Sequence, residues 1–221
     1  MKIALVSDTH NLFSKLQIPQ TDLLIHAGDF TTSGGEYEIN GFLQCLVRLK
    51  QQQPKLEVVV IPGNHDDNIY KYQEQWQQRF RDSGASLLID NSHYFMGYHI
   101  YGAPYGPWPP HWPFSIQDVE PPILASQYWD RIPTNVDILI THHPPYMYGD
   151  KVLRPRRDED PNVGSKSLRE TIPQLPQLKL HVFGHIHEGR GTYIDSNVTF
   201  VNAASVDFSH TKHFDPIELE L

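Results

Sequence analysis

The chain has 221 residues, of which 39% are hydrophobic and 20% charged, with a formal net charge of −8 at pH 7. That length can bury a full core and makes a single domain, residues 1–221, the default expectation. The same numbers argue against several classes. No apolar run approaches the roughly 20 residues that span a bilayer, no Lys/Arg stripe offers to neutralise the phosphates of a long nucleic acid, and one cysteine, Cys45, allows no internal disulfide. The start, Lys2-Ile-Ala-Leu-Val-Ser7, reads as a strand and not as the h-region of a secretory signal. The expectation is therefore a cytoplasmic protein with no membrane partner.

In chain order, the first strand, Ile3 to Ser7, runs into Asp8-Thr-His10. A second, Leu23 to Ala27, ends on Gly28-Asp29, and the turn-rich Thr31 to Gly35 leads to a helix over Glu36 to Lys50. There Ile39, Phe42, Leu43, Leu46 and Leu49 recur at helical spacing, and Cys45 falls beside them as core filler. Leu56 to Ile61 is a β-branched run of the kind buried on both faces in parallel sheets, and Pro62-Gly63 turns it into Asn64-His65-Asp66. A Gln-rich helix follows around Asn68 to Phe80. This order implies parallel strands joined by right-handed crossovers.

Ser86 to Tyr101 alternates in short runs and predicts hairpin-like strands turning towards a second sheet. Gly102 to Pro122 is crowded with Pro, Trp and Tyr, and reads as an ordered aromatic lid. A short helix through Ala125 to Trp129 returns to a strand, Ile138 to Thr141, which ends on His142-His143. The loop after it carries the mixed-charge stretch Arg154 to Asp160. A helix over Gly164 to Leu175 is interrupted by Pro173, and Leu180 to Phe183 is a strand ending on Gly184-His185-Ile-His187. The runs Thr192 to Ile194, Val198 to Val201 and Ile217 to Leu221 suggest an antiparallel ending.

Five strands thus end in oxygen or nitrogen donors, which core packing does not require, and ligands of open α/β sheets bind at such carboxyl ends. Asp8, His10, Asp29, Asn64, His142, His185 and His187 are too many donors for a closed four-ligand zinc site and include no thiolate. They suit two divalent ions sharing one carboxylate, with Asp29 as the natural bridge. Two carboxylates against two such ions leave about +2 of charge, an attractor for phosphate. A pair about 3.5–4 Å apart can make a nucleophile from water and stabilise an in-line phosphoryl displacement. All-N/O ligation admits Mn²⁺, the first expectation, or Fe, Zn, Co or Ni.

Other residues keep two readings. His26 is a core histidine or a support behind the ligands, or else a ligand itself. His143 is a substrate contact, or points away if its strand stays extended. Trp108 and Trp112 pack a lid or stack a base. Arg190 is a phosphate clamp or a solvated turn arginine.

The set Asp8-x-His10, Gly28-Asp29, Gly63-Asn64-His65-Asp66, His142 and Gly184-His185-x-His187, in that order, resembles the calcineurin-like metallophosphoesterases over essentially the whole chain. Leu24-Ile-His-Ala-Gly-Asp-Phe-Thr31, Thr141-His-x-Pro-Pro145, Val163-Gly-Ser165, His181-Val-Phe-Gly-His-Ile-His-Glu-Gly189 and Val201-Asn-Ala203 are similar to its metallophosphoesterase-domain-containing branch. Some members of that branch lack the histidine that stands here as His185. The resemblance implies a four-layer α/β/β/α sandwich of two mixed sheets. It implies one metal on Asp8, His10, Asp29 and His187, and a second on Asp29, Asn64, His142 and His185. It makes His65 the acid that protonates the leaving alkoxide. Related protein phosphatases orient this histidine with an Asp three residues after the bridging one; Thr32 stands there instead, leaving Asp66 as the possible partner. The implied activity is hydrolysis of a small phosphodiester such as a cyclic nucleotide. A phosphomonoesterase or protein phosphatase, and a non-catalytic metal-binding scaffold, are the alternatives.

Overall fold

The structure is a computed structural model that describes residues 1–116, 127–153, 160–209 and 211–221. Strands β1 (Lys2–Val6), β2 (Leu23–Ala27), β3 (Glu57–Ile61) and β4 (Ser86–Leu87) run parallel, and β11 (Ile217–Glu220) adds antiparallel to β1. The first sheet is therefore ordered β11-β1-β2-β3-β4. The second is ordered β5-β6-β7-β8-β10-β9, from β5 (Asn91–Phe95), β6 (Tyr98–Ala103), β7 (Ile138–Thr141), β8 (Leu180–Phe183), β9 (Gly191–Asp195) and β10 (Val198–Asn202). The interior strands β6, β7, β8 and β10 are parallel, and the edges β5 and β9 are antiparallel. Both sheets are mixed, as expected.

Alternation along each strand creates the layers, because successive side chains point to opposite faces. Ala4, Val6, Leu24, Val58 and Val60 face helix α1 (Glu36–Gln52), whose Ile39, Phe42, Leu43, Leu46 and Leu49 are all buried. Each such side chain contributes about 2 kcal/mol of apolar burial. The intervening Ile3, Leu5, Leu23, Ile25, Val59 and Ile61 meet Ile100, Ile138, Ile140, Leu180, Val182 and Val201 of the second sheet. The outer face of that sheet, with Leu139, Phe183 and Phe200, packs on Trp129, Leu168, Ile172 and Leu175. Helix, sheet, sheet and helix make the four-layer sandwich that the motifs imply.

Several elements differ from expectation. The Gln-rich helix is two, α2 (Asp67–Lys71) and α3 (Gln73–Asp82), broken at Tyr72 with φ −133°. Only α4 (Lys166–Thr171) is α-helical in the next expected helix. Pro173 tightens its continuation, Ile172–Gln174, to a 3-10 turn, since it has no N–H to donate. The antiparallel ending is divided, because β9 and β10 complete the second sheet while β11 closes the first. The short returning helix is seen only over 127–129; its start, the closing prolines of the 102–122 tract and residues 154–159 of the mixed-charge stretch lie outside the described residues. Among the described residues, no helix is long and apolar enough to cross a membrane.

His181 on β8 is fully buried, bonds Thr141 Oγ1 through Nε2 at 2.9 Å, and is held neutral by burial, its pKa lowered to about 3. A depressed histidine stabilises the fold fully above its unfolded pKa of 6.5, and that stability is lost as pH falls towards 3. Urea denaturation of chelator-treated protein at pH 7 and pH 5 should show His181→Gln losing less stability on acidification than the wild type, by about 2 kcal/mol. Equal losses would mean that His181 is not buried neutral.

Candidate metal centre

The carboxyl ends of strands from both sheets converge on one place. β1 delivers Asp8 and His10, β2 delivers Asp29, and β3 delivers Asn64, while β7 delivers His142 and β8 delivers His185 and His187. The sheets are stitched together there, with Ser7 N–H donating to Ala203 O at 2.9 Å and Ser205 N–H to Ser7 O at 2.8 Å. Leaving their strands abruptly, Asp8, His10, Asp29 and His185 take left-handed backbones with φ of 52°, 39°, 56° and 66°. Such conformations cost about 1 kcal/mol or more each and persist only where surroundings over-determine them. Four at one site is a functional signature, not a packing requirement.

Six of these side chains form two clusters, Asp8 with His10 and His187, and Asp29 with His142 and His185. Within each, the donor atoms lie within 4.8 Å of one another. Asn64 joins the second cluster, its Oδ1 3.1 Å from His142 Nε2. His142 Nε2 also lies 3.2 Å from Asp29 Oδ2 and 4.0 Å from Asp8 Oδ1, which links the clusters. Such closeness needs glycine alongside. A Cβ on Gly184 would stand 2.1 Å from both Asp8 Oδ2 and Ser7 Oγ, and one on Gly63 would stand 2.2 Å from Asp29 Oδ1.

The tautomers are set from outside. His142 Nδ1–H donates to Ala27 O at 2.8 Å, His10 Nδ1–H to Thr31 O at 3.1 Å and His187 Nδ1–H to Asp207 O at 3.3 Å. A carbonyl accepts only from N–H, so each ring presents Nε2 to the carboxylates, as metal-ligating histidines do. Burial would depress His142 and His187, but Asp29 and Asp8 overcome it and raise both pKa values to about 9. Burial would raise Asp8, yet His187, His142 and His10 hold it well below the carboxylate range; Asp29 is held down against burial by His142 and His65. Burial, with His143 and His142 nearby, lowers His185. Buried carboxylates and Nε2 atoms facing each other, with no thiolate, fit first-row divalent cations. Those cations would take the place of the protons on His142 and His187.

His65 stands beside the first cluster, its ring 5.0 Å from that of His10. Its orienting partner is not Asp66. His65 Nδ1–H donates at 2.7 Å to the backbone carbonyl of Thr32. Asp66 instead fastens loops. Its Oδ2 accepts from Gly63 N–H at 2.8 Å and Asp29 N–H at 3.0 Å, and its Oδ1 from Thr31 N–H at 3.0 Å and Thr31 Oγ–H at 2.6 Å. Burial and the Asp29 charge push its pKa up to about 7, against the pull of those donors.

The remaining residues sort clearly. His26 is a core histidine, caged by Phe13, Phe30 and Phe42, with Nε2 2.9 Å from Thr9 Oγ1. His143 does not point away: its ring lies 4.9 Å from His185, because the chain has left its extended path by then. Trp108 is buried, its ring 5.3 Å from His185, with Nε1–H donating to Pro113 O at 2.7 Å, so it packs the tract instead of offering a stacking face. Trp112 is the exposed aromatic, 6.4 Å from His65. Arg190 donates to Ala204 O at 2.7 Å and to Asp215 O at 2.6 Å.

Sequence reasoning missed the supports. Asn202 donates through Nδ2 to Gly149 O and Ile186 O, each at 2.8 Å, bracing the His185–His187 loop. Its signal was present, within Val201-Asn-Ala203. The Thr31, Thr32 and Asp207 carbonyls left none, since every residue has one.

Comparison with known proteins agrees with this geometry. The chain is 32% identical over 237 residues to metallophosphoesterase domain-containing protein 1 of Homo sapiens, and equally to that of Mus musculus, covering 98% of this chain and 69% of either relative. The fold is shared with the crystal structure of TT1561 of Thermus thermophilus, at a TM-score of 0.60 and 13% identity over 91% of this chain and 88% of that one. A model of the calcineurin-like phosphoesterases matches residues 1–189. The chain belongs to the calcineurin-like phosphoesterase family.

Proposed function

We propose that the protein is a dinuclear metal-dependent phosphodiesterase acting on a small soluble ester such as a cyclic nucleotide. The observation that carries this is the pair of facing clusters, Asp8/His10/His187 and Asp29/His142/His185, with His65 alongside. Asp8, His10 and His187 would hold one ion, and Asn64, His142 and His185 the other, with Asp29 shared; Mn²⁺ is the first candidate. When bound, the ions supply Lewis acidity and a nucleophile from water at neutral pH.

The chain's own residues do the rest. His65, aimed by the Thr32 carbonyl, gives its Nε2 proton to the departing oxygen. Water oxygen joins phosphorus as the bond from phosphorus to the departing arm breaks; one water proton passes to solvent and the other restores His65, leaving a monoester dianion and an alcohol. Asp66 and Asn202 hold the loops still, so that little reorganisation accompanies reaction. The diester reading is supported by Arg190, whose guanidinium is committed to the Ala204 and Asp215 carbonyls. Among the described residues the phosphate charge would then be met chiefly at the ion site, which suits a monoanionic diester. β11 closing on β1 supports reading 1–221 as one domain.

With Mn²⁺ loaded, bis-p-nitrophenyl phosphate should be hydrolysed in preference to p-nitrophenyl phosphate, and a panel of 2′,3′- and 3′,5′-cyclic nucleotides should contain a substrate. Preference for the monoester would overturn the diesterase reading.

A further inference from the structure

Two fully buried histidines, His26 and His181, lie outside the ligand clusters, and each spends its bond on a threonine that adjoins a ligand. On β2, His26 Nε2 is 2.9 Å from Thr9 Oγ1, and Thr9 stands between Asp8 and His10. On β8, His181 Nε2 is 2.9 Å from Thr141 Oγ1, and Thr141 immediately precedes His142. The other nitrogen of both rings, Nδ1, is buried with no hydrogen-bond partner among the described residues. An unsatisfied buried nitrogen costs stability. The surroundings are apolar, Phe13, Phe30 and Phe42 about one ring and Phe183 and Phe200 about the other, and would receive an apolar side chain without that cost. Packing therefore accounts for neither imidazole. The bond to threonine does.

Resting on the dinuclear reading, we infer that His26 and His181 are positioning residues, one behind each ion site. His26 holds the Asp8–His10 turn through Thr9, His181 holds His142 through Thr141, and each sets the metal affinity of its own site alone. The first strut acts on strained backbone. Asp8 and His10, on either side of Thr9, take left-handed conformations that persist only where something holds them. Thr9 is gripped from the core while its two neighbours reach the first cluster. The second strut runs through a hydroxyl with a single proton. Thr141 Oγ1–H donates to His143 O at 2.7 Å, so towards His181 it can only accept, and His181 Nε2 carries the proton. Ring, hydroxyl and carbonyl together fix the chain one residue past His142, where it leaves β7. His142 Nε2 then meets Asp29 Oδ2 at 3.2 Å. His26 belongs to the first sheet and His181 to the second, so neither can stand in for the other.

The test follows the NMR signals of histidine side chains as chelator-treated protein is titrated with Zn²⁺. His10 and His187 report the first site, His142 and His185 the second. His181→Leu should raise the Zn²⁺ concentration needed by the second pair about tenfold or more, the scale on which partners behind metal ligands act, and leave the first pair unmoved. His26→Leu should do the reverse. Gln at either position, whose amide can bond where Nε2 does, should restore the wild-type titration. Thr141→Val and Thr9→Val should repeat the pattern, and they carry the comparison if a leucine variant does not fold. Equal weakening of both sites, no weakening, or no recovery with Gln overturns the inference. If the wild type takes up a single ion, the dinuclear reading falls, and hydrogen exchange in the metal-free protein decides on the struts. Asp8 N–H, bonded to Gly28 O at 2.9 Å, should then exchange faster only in His26→Leu, and Gly184 N–H, bonded to His142 O at 3.0 Å, only in His181→Leu. Unselective or unchanged exchange overturns the inference in that case too.

Discussion

Asp29→Asn is expected to lower hydrolysis about a thousandfold, equivalent to roughly 4 kcal/mol of transition-state stabilisation, while the fold survives. Asp29 sits where three demands meet. Its Oδ2 faces His142 Nε2 at 3.2 Å, its Oδ1 accepts the His65 N–H at 2.8 Å, and its own N–H is held by Asp66. Asparagine keeps the size, the backbone tie and one acceptor. It removes the charge, and its amide nitrogen cannot serve as a ligand. Loss of metal in elemental analysis together with lost turnover, at a nearly unchanged Tm, is the expected result. Activity within tenfold of wild type would exclude Asp29 as the shared ligand. A scaffold that only holds metal for contacts would show no turnover in the parent protein either.

His65→Asn should produce a loss that depends on the leaving group. An alkoxide, as in a cyclic nucleotide, must be protonated as it departs, and a positioned acid contributes about 10²- to 10⁴-fold. Nitrophenolate leaves without a proton, so the same variant should lose far less on bis-p-nitrophenyl phosphate. Plotting log kcat against leaving-group pKa should give a steeper slope for His65→Asn than for wild type. Parallel lines would remove the acid role from His65 and leave it a positioning group. Metal content should not change, because His65 lies beside the ligand clusters without belonging to either.

The parts of this molecule legible in the sequence are those whose residue type is itself the signal. Val58 to Ile61 could only be a buried strand, and alternation within it turned out to define two different interfaces. The seven donors were legible because carboxylate, imidazole and amide at strand ends serve no packing purpose, and the structure gathers them. Supports carried by the backbone were not legible. The Thr32 carbonyl orients His65, and no side-chain pattern could announce it. For His143 both readings stay open in the sequence, because its direction depends on whether the chain is still extended two residues beyond the end of β7. Arg190 keeps two readings for the same reason, because a guanidinium is equally able to meet a phosphate or to tie down carbonyls, as it does with those of Ala204 and Asp215.

Asp66 has one more implication. By clasping Gly63, Asp29 and Thr31 at once, it fastens two ligand-bearing loops with bonds that owe nothing to a cation. A chelator should then empty the centre without collapsing it, and refilling should need no refolding. The shape of the socket is then a property of the chain and not of its occupant.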